Sequence, residues 1–251
     1  MRLYEADVLD RERFGNHVLL RYRWKGEPPE PGQFVMARTA TQDLNPFLSR
    51  PFFAHDYSDE TVSLLFEIRG WGTALLGEEG FKLLVSAPLG RGFTTEGEGP
   101  VALVGGGVWI SPLKLLGRRL RASGIPHDVF LEVPATAPKA YAAWISGGYP
   151  DATLVPTGGG PPTSSAQTVL ERVGDLARYY AVYASGPTQM LNAVRIVSVG
   201  KVSAQLALRE RMACANGSCF GCAIPILRTG VRTYARVCTE GPVFRAETLA
   251  W

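Results

Sequence analysis

The chain has four cysteines, Cys214, Cys219, Cys222 and Cys238, all in its C-terminal region. Their spacing, Cys-x4-Cys-x2-Cys-x15-Cys, requires one loop to present three thiols and a later segment to return with the fourth. The loop, CANGSCFGC, contains Gly217 and Gly221, which let backbone curl closely around a bound object. Zinc ribbons usually show two Cys-x2-Cys pairs, and only one is present. The order Cys-x4-Cys-x2-Cys…Cys is that of plant-type [2Fe–2S] ferredoxins. One [2Fe–2S] cluster on all four thiols is therefore expected; a zinc site and two disulfides are the alternatives.

The 251 residues suffice for one large domain or a few small ones. Residues 1–97 read as short strands separated by turn signals such as GEPPEPG and HDYSDE, the pattern of an antiparallel barrel. GWGTALLGEEG reads as a loop and one helical turn. After TTEGEGP the pattern changes. Over 98–200, strands (VALVGGG, HDVFLEV, ATLVPT, YYAVYASG) alternate with helices (SPLKLLGRRLRASG, SAQTVLERVGDLA, PTQMLNAVRIVSVG). Such alternation implies a small parallel α/β domain. Ser111 is expected as a helix N-cap before Pro112. PTGGGPPTSS reads as a mobile loop. Residues 201–251 form the cluster segment.

The formal net charge of +3 is spread without a basic run, which argues against nucleic acid. The N-terminus lacks the apolar segment of a signal peptide, and no apolar run approaches a membrane span. A cytoplasmic protein is expected, and in that compartment clustered cysteines favour metal over disulfides. The three histidines, His17, His55 and His127, are expected at the surface, and no catalytic base stands out.

SRPFF, GWGT, APLGRGF, LVGGG followed by SPL, SGPTQML, ERMACANGSCFGC and VCTEGPVFRAETLAW occur in this order. Together they resemble the electron-transfer subunits of bacterial two-subunit dihydroorotate dehydrogenases, within the ferredoxin-reductase superfamily. The resemblance implies an FAD-binding barrel, an NAD-binding-like α/β domain and a C-terminal [2Fe–2S] segment. It implies electron passage between NAD(H) and the FMN of a catalytic partner subunit in pyrimidine biosynthesis, in a heterotetramer. FAD contacts are then expected at Arg50, Pro51, Phe52 and Phe53, at Leu65, Phe66 and Glu67, and at Gly72 and Thr73. Arg50 is a planar cation suited to a phosphate or the flavin edge, and the GWGT helix start offers free N–H groups. Gly105, Gly106 and Gly107 allow close backbone approach by a dinucleotide. Phe244, Leu249 and Trp251 are either partner anchors or internal packing.

Several positions depart from that pattern. Phe53 stands where a hydroxyl is usual. Glu67 replaces a phosphate-binding arginine, with Arg69 two residues on as a substitute. Trp109 replaces the fourth glycine after the GGG turn, Ser185 replaces a cysteine, and PTGGGPP replaces an acidic-glycine stretch. These last three changes surround the nicotinamide site, so NADH use is not expected. Other readings are an oxygenase reductase of the ferredoxin-reductase type and a non-redox accessory subunit with a structural cluster.

Overall fold

The computed structural model describes residues 1–40, 45–80, 82–95, 97, 99–158 and 162–251, with residues 162–165 as backbone only. The N-terminal part contains β1 (Leu3–Ala6), β2 (Val8–Phe14), β3 (His17–Arg23), β4 (Phe34–Thr39), β5 (Arg50–Phe53), β6 (Asp56–Ser58), β7 (Thr61–Glu67), α1 (Trp71–Gly77) and β8 (Leu83–Ser86). Two antiparallel sheets form, ordered β1-β8-β4-β5 and β2-β3-β7-β6. Alternate side chains of β3, Val18, Leu20 and Tyr22, face Val35, Phe52, Leu64 and Val85 in the inter-sheet core. Leu19, on the opposite face, joins a second core shared with the rest of the molecule. Pro51 sits on the edge strand β5, where its missing N–H costs no ladder bond. The GWGT helix α1, Trp71–Gly77, is longer than the single turn expected.

The following α/β part contains β9 (Val101–Gly106), α2 (Ser111–Ala122), β10 (His127–Pro134), α3 (Lys139–Gly148), β11 (Ala152–Thr157), α4 (Pro162–Val173), β12 (Ala181–Ser185), α5 (Thr188–Ser198) and β13 (Ser203–Ala207). Its sheet runs β11-β10-β9-β12-β13 in parallel, closed by the antiparallel β16 (Val243–Arg245). β9 is buried along its length, as a strand covered on both faces must be. Leu113, Leu116 and Leu120 seal α2 against it. The last parallel strand lies past residue 200, so the sheet runs beyond the boundary expected there. The hairpin of β14 (Ala223–Arg228) and β15 (Val231–Arg236), then α6 (Val237–Glu240), complete the cluster segment.

Three expectations change here. Ser111 is no N-cap: the helix starts at Ser111 after a 3₁₀ turn, Gly107–Ile110, and its Oγ–H donates instead to the Phe53 carbonyl at 3.3 Å. Of the expected PTGGGPPTSS loop, Pro156 and Thr157 end β11 and residues 162–165 begin α4, while 159–161 lie outside the described residues. His17 and His55 are not surface residues, at 7% and 3% exposed. His17 stacks on Tyr141 with ring centroids 3.8 Å apart, joining the barrel to α3.

His55 is held between the two parts, its Nδ1–H donating to the Ser111 carbonyl at 3.1 Å. Burial pushes its pKa down to about 4. The unfolded chain takes up this proton near the ordinary histidine value of about 6.5, and the folded chain does not until about 4. Stability is therefore fully present above 6.5 and is lost as pH falls towards 4, by up to about 3 kcal/mol. His55→Asn keeps a donor without the titration. Its urea-unfolding free energy is expected to vary less over that interval than that of the unmodified protein.

Candidate functional site

The sequence around the cysteines builds a loop that folds back on itself. Ala215, Gly217 and Phe220 have left-handed backbone, with φ of 50°, 85° and 56°. Two non-glycine residues in that region signal a loop over-determined by its surroundings. A Cβ at Gly217 would lie 3.2 Å from Arg236 Nη1 and 3.3 Å from Thr239 Cγ2, so the loop lies flush against the segment bearing Cys238. Arg236 reinforces this contact, donating to the Gly217 carbonyl at 3.3 Å and to Glu240 Oε1.

The thiols gather as two associated pairs. Cys219 N–H donates to Cys214 Sγ at 3.4 Å, and Cys222 contacts Cys238. None of the four is in a disulfide. Backbone N–H groups of Asn216 and then Cys219 pull the Cys214 thiol down to about 6. Burial, then the neighbouring Cys222, pushes Cys238 up to about 11. Among the described residues no three His, Cys, Asp or Glu side chains converge as ligands of one ion. Two thiol pairs suit a cluster in which each of two irons takes two thiolates. The donor set fits: soft sulfurs, two of them buried, with backbone N–H groups turned towards them.

A second site lies where β5, the end of β7 and the turn after β9 meet. Pro51, Phe52, Phe53, Leu65 and Phe66 line a slot of about 20 Å³, with Val108, Trp109, Ser111 and Arg209 on its other side. Phe53, 7% exposed, is part of the core and brings no hydrogen-bond donor to the slot. Arg50 lies across the first turn of α1, and a Cβ on Gly72 would stand 2.0 Å from its Cζ. The glycine therefore makes room for the guanidinium beside a helix N-terminus. Its Nη1 donates to the Leu48 carbonyl. Thr73 braces the same turn, its Oγ accepting from the N–H groups of Arg69 at 2.9 Å and Gly70 at 3.1 Å. A cation packed against a helix start, beside an aromatic slot, fits a phosphate-bearing flavin.

Glu67 is not in this slot. It faces the neighbouring cleft with Asn16, His17, Arg69, Gly107 and Tyr141. Its carboxylate accepts from Asn16 Nδ2 at 2.9 Å and Arg69 Nε at 2.6 Å. Arg69 is thus committed to Glu67 rather than standing in for the missing phosphate-binding arginine, and its Cζ lies 5.8 Å from the Trp109 ring centroid. Arg209 was not anticipated. Its Cζ lies 4.8 Å from the same ring, and burial, followed by repulsion from Arg69, lowers its pKa. Its only sequence cue is its place directly after the last parallel strand, at the C-terminal edge where α/β sheets bind ligands.

Residues 209–250 match the iron-sulfur cluster binding domain of dihydroorotate dehydrogenase B. The chain is 33% identical to a dihydroorotate dehydrogenase B (NAD(+)) electron transfer subunit from Caldanaerobacter subterraneus subsp. tengcongensis, over 97% of this chain and 96% of the relative. The Bacillus velezensis subunit of the same name is 33% identical, over 88% and 87%. Among solved structures, the NADH-dependent reduced ferredoxin-NADP oxidoreductase superposes with a TM-score of 0.77 at 21% identity, covering 99% of this chain and 90% of that one. Phthalate dioxygenase reductase gives 0.59 at 18%, covering 94% and 77%. The fold is that of the ferredoxin reductases. From its identity to these relatives over nearly its whole length, the chain belongs to the family of dihydroorotate dehydrogenase B electron transfer subunits.

Proposed function

We propose that this chain carries FAD and one [2Fe–2S] cluster, and passes electrons between them and the FMN of a catalytic dihydroorotate dehydrogenase subunit in pyrimidine biosynthesis. The observation that carries this reading is the two-pair thiol arrangement inside the segment matched to the family's cluster domain. Cys214, Cys219, Cys222 and Cys238 hold the cluster. Arg50 to Phe53, Leu65, Phe66, Gly72 and Thr73 hold FAD, whose ring supplies two-electron redox chemistry when bound; Glu67 serves by fixing Arg69. Residues 1–97, 98–200 and 201–251 are read as the FAD, dinucleotide-like and cluster portions, in a cytoplasmic heterotetramer. Among the described residues no helix is long and apolar enough to cross a membrane. The visible spectrum of the anaerobically purified protein tests the cofactor assignment: overlapping flavin and iron-sulfur bands support it, and a colourless protein refutes it.

Exposure supports a partner face on the cluster loop and the following hairpin. Phe244 and Leu249 are 9% and 1% exposed, so these two pack internally. Phe220, in the cluster loop, and Val231 and Tyr234, on the following hairpin, are 59%, 66% and 64% exposed. Aromatic anchors of this kind concentrate interface energy. Tyr234→Ala is expected to weaken the complex with the dehydrogenase subunit by about tenfold or more, with the cluster spectrum unchanged. Affinity measured by titration calorimetry checks this, and an unaltered value removes the hairpin from the interface.

A further inference from the structure

Trp109, with Arg209, lines two neighbouring cavities. One is the slot lined by Phe53, Leu65 and Phe66. The other is a cleft of about 230 Å³, lined by Gly186, Pro187, Thr188, Arg209, Glu210 and Trp251. The cleft opens at the carboxyl end of β12, where ligands of open parallel sheets bind. A reduced nicotinamide approaching the slot from the cleft meets the indole first.

The indole is fixed in place. Arg209 and Arg69 lie over its ring with Cζ at 4.8 and 5.8 Å from the centroid. Arg69 is itself held by Glu67 at 2.6 Å. The backbone of Trp109 is held as well: Ser185, fully buried, donates its Oγ–H to the Trp109 carbonyl at 2.6 Å. Val108 and Ile110, on either side, are buried in the core. Two departures from the family pattern, Trp109 and Ser185, thus form one construction.

Resting on the FAD reading above, we propose that Trp109 is the specificity-determining wall of this subunit. It shields the flavin slot from a hydride donor while leaving the flavin open to electron exchange with the cluster. The physical basis is a difference in range. Hydride transfer moves hydrogen with both bonding electrons from the dihydronicotinamide carbon to the flavin, leaving an oxidised nicotinamide cation. It requires the reacting atoms at about 3–3.5 Å. The indole, with the Arg209 and Arg69 guanidinium groups over its ring, fills the space between slot and cleft and keeps the reacting atoms further apart than that. Electron exchange with the cluster transfers one electron at a time, with the accompanying proton drawn from solvent, and needs no such contact.

The test uses the full-length protein reconstituted with FAD under anaerobic conditions. Four proteins are compared: unmodified, Trp109→Phe, Trp109→Ala and Ser185→Ala. The flavin band is followed after mixing with NADH, and separately with dithionite. Trp109→Ala is expected to be reduced by NADH about a hundredfold faster than the unmodified protein or more. Trp109→Phe, which keeps a ring, stays slow; Ser185→Ala, which frees the carbonyl, shows a smaller gain. Dithionite reduces all four alike. A readout independent of turnover is indole emission: FAD is expected to quench the unmodified protein more than Trp109→Phe, because the lost fluorophore is the one beside the slot. The inference is overturned if unmodified protein is reduced by NADH as fast as Trp109→Ala. It is also overturned if Trp109→Ala gains nothing with its flavin band and dithionite reduction intact. Absence of bound flavin from all four proteins overturns the cofactor reading and this inference together, and is seen directly in the spectrum.

Discussion

Cys222→Ser, purified anaerobically, is expected to contain almost no iron and to give no electron paramagnetic resonance signal after reduction. Cys222 is 3% exposed and in contact with Cys238, itself 2% exposed, so no other thiol among the described residues can take its place. A serine hydroxyl is a harder, far less acidic ligand than a thiolate and does not ordinarily hold a cluster iron. Cys219→Ser is expected to be milder, with residual iron, because Cys219 is exposed and its loop can relax around a substitute. Two irons per chain retained by Cys222→Ser would exclude the four-thiolate assignment. Stoichiometric zinc in the unmodified protein, with no reduced-state signal, would exclude the cluster itself.

The second large effect belongs to Gly72. A Cβ there falls 2.0 Å from the Arg50 guanidinium carbon. Gly72 is not among the residues with left-handed backbone, so alanine is tolerated by the helix. What must move is the end of a flexible side chain, so folding stability is expected to change little. FAD affinity is expected to fall about ten- to a hundredfold, the equivalent of one charge-assisted hydrogen bond to a phosphate. Arg50→Ala should cost a similar factor. The double variant should cost no more than either alone, because both changes remove one contact. Fluorescence titration with FAD reads all three. Additive losses would show that Gly72 and Arg50 serve FAD separately, and an unchanged Gly72→Ala affinity would remove Arg50 from the phosphate.

The parts of this molecule readable in the sequence are those written in local chemistry. Thiol spacing singled out the four cysteines proposed above to hold the cluster, and alternation such as Val18, Leu20 and Tyr22 gave the barrel strands. The turn residues ahead of Val101 marked where strand-only pattern gives way to strand–helix alternation. Features fixed by distant partners were not readable. Ser111 looks like a cap, but its hydroxyl is claimed by Phe53 across the junction of the two parts. Helix α3, with its pair of glycines and its aromatic residues, lacks the amphipathic pattern that announces a surface helix, and its Tyr141 packs instead on His17 of the barrel. The roles of Glu67 and Arg69 reverse the expectation for the same reason. Each sits correctly on β7 or just after it, but their mutual ion pair and the indole of Trp109 decide what they do.

β16 returns after the cluster to pair with β13, bringing Val243 opposite Ala207 and Arg245 opposite Gln205. The chain therefore leaves the sheet at Ala207 and re-enters it at Val243, on the same rung of one ladder. Mechanically the cluster segment is a closed detour: both leads are held by the sheet, Arg91 N–H donates to the Gly241 carbonyl just before the return, and Ala250 N–H ties the last residues back to Pro225 on the hairpin. Strain applied to this segment is carried back to the seam of β13 and β16 and shared across the ladder rather than pulling on a free tail. With both leads held, the cysteine loop and hairpin have less freedom to move away from the slot than a free tail would have.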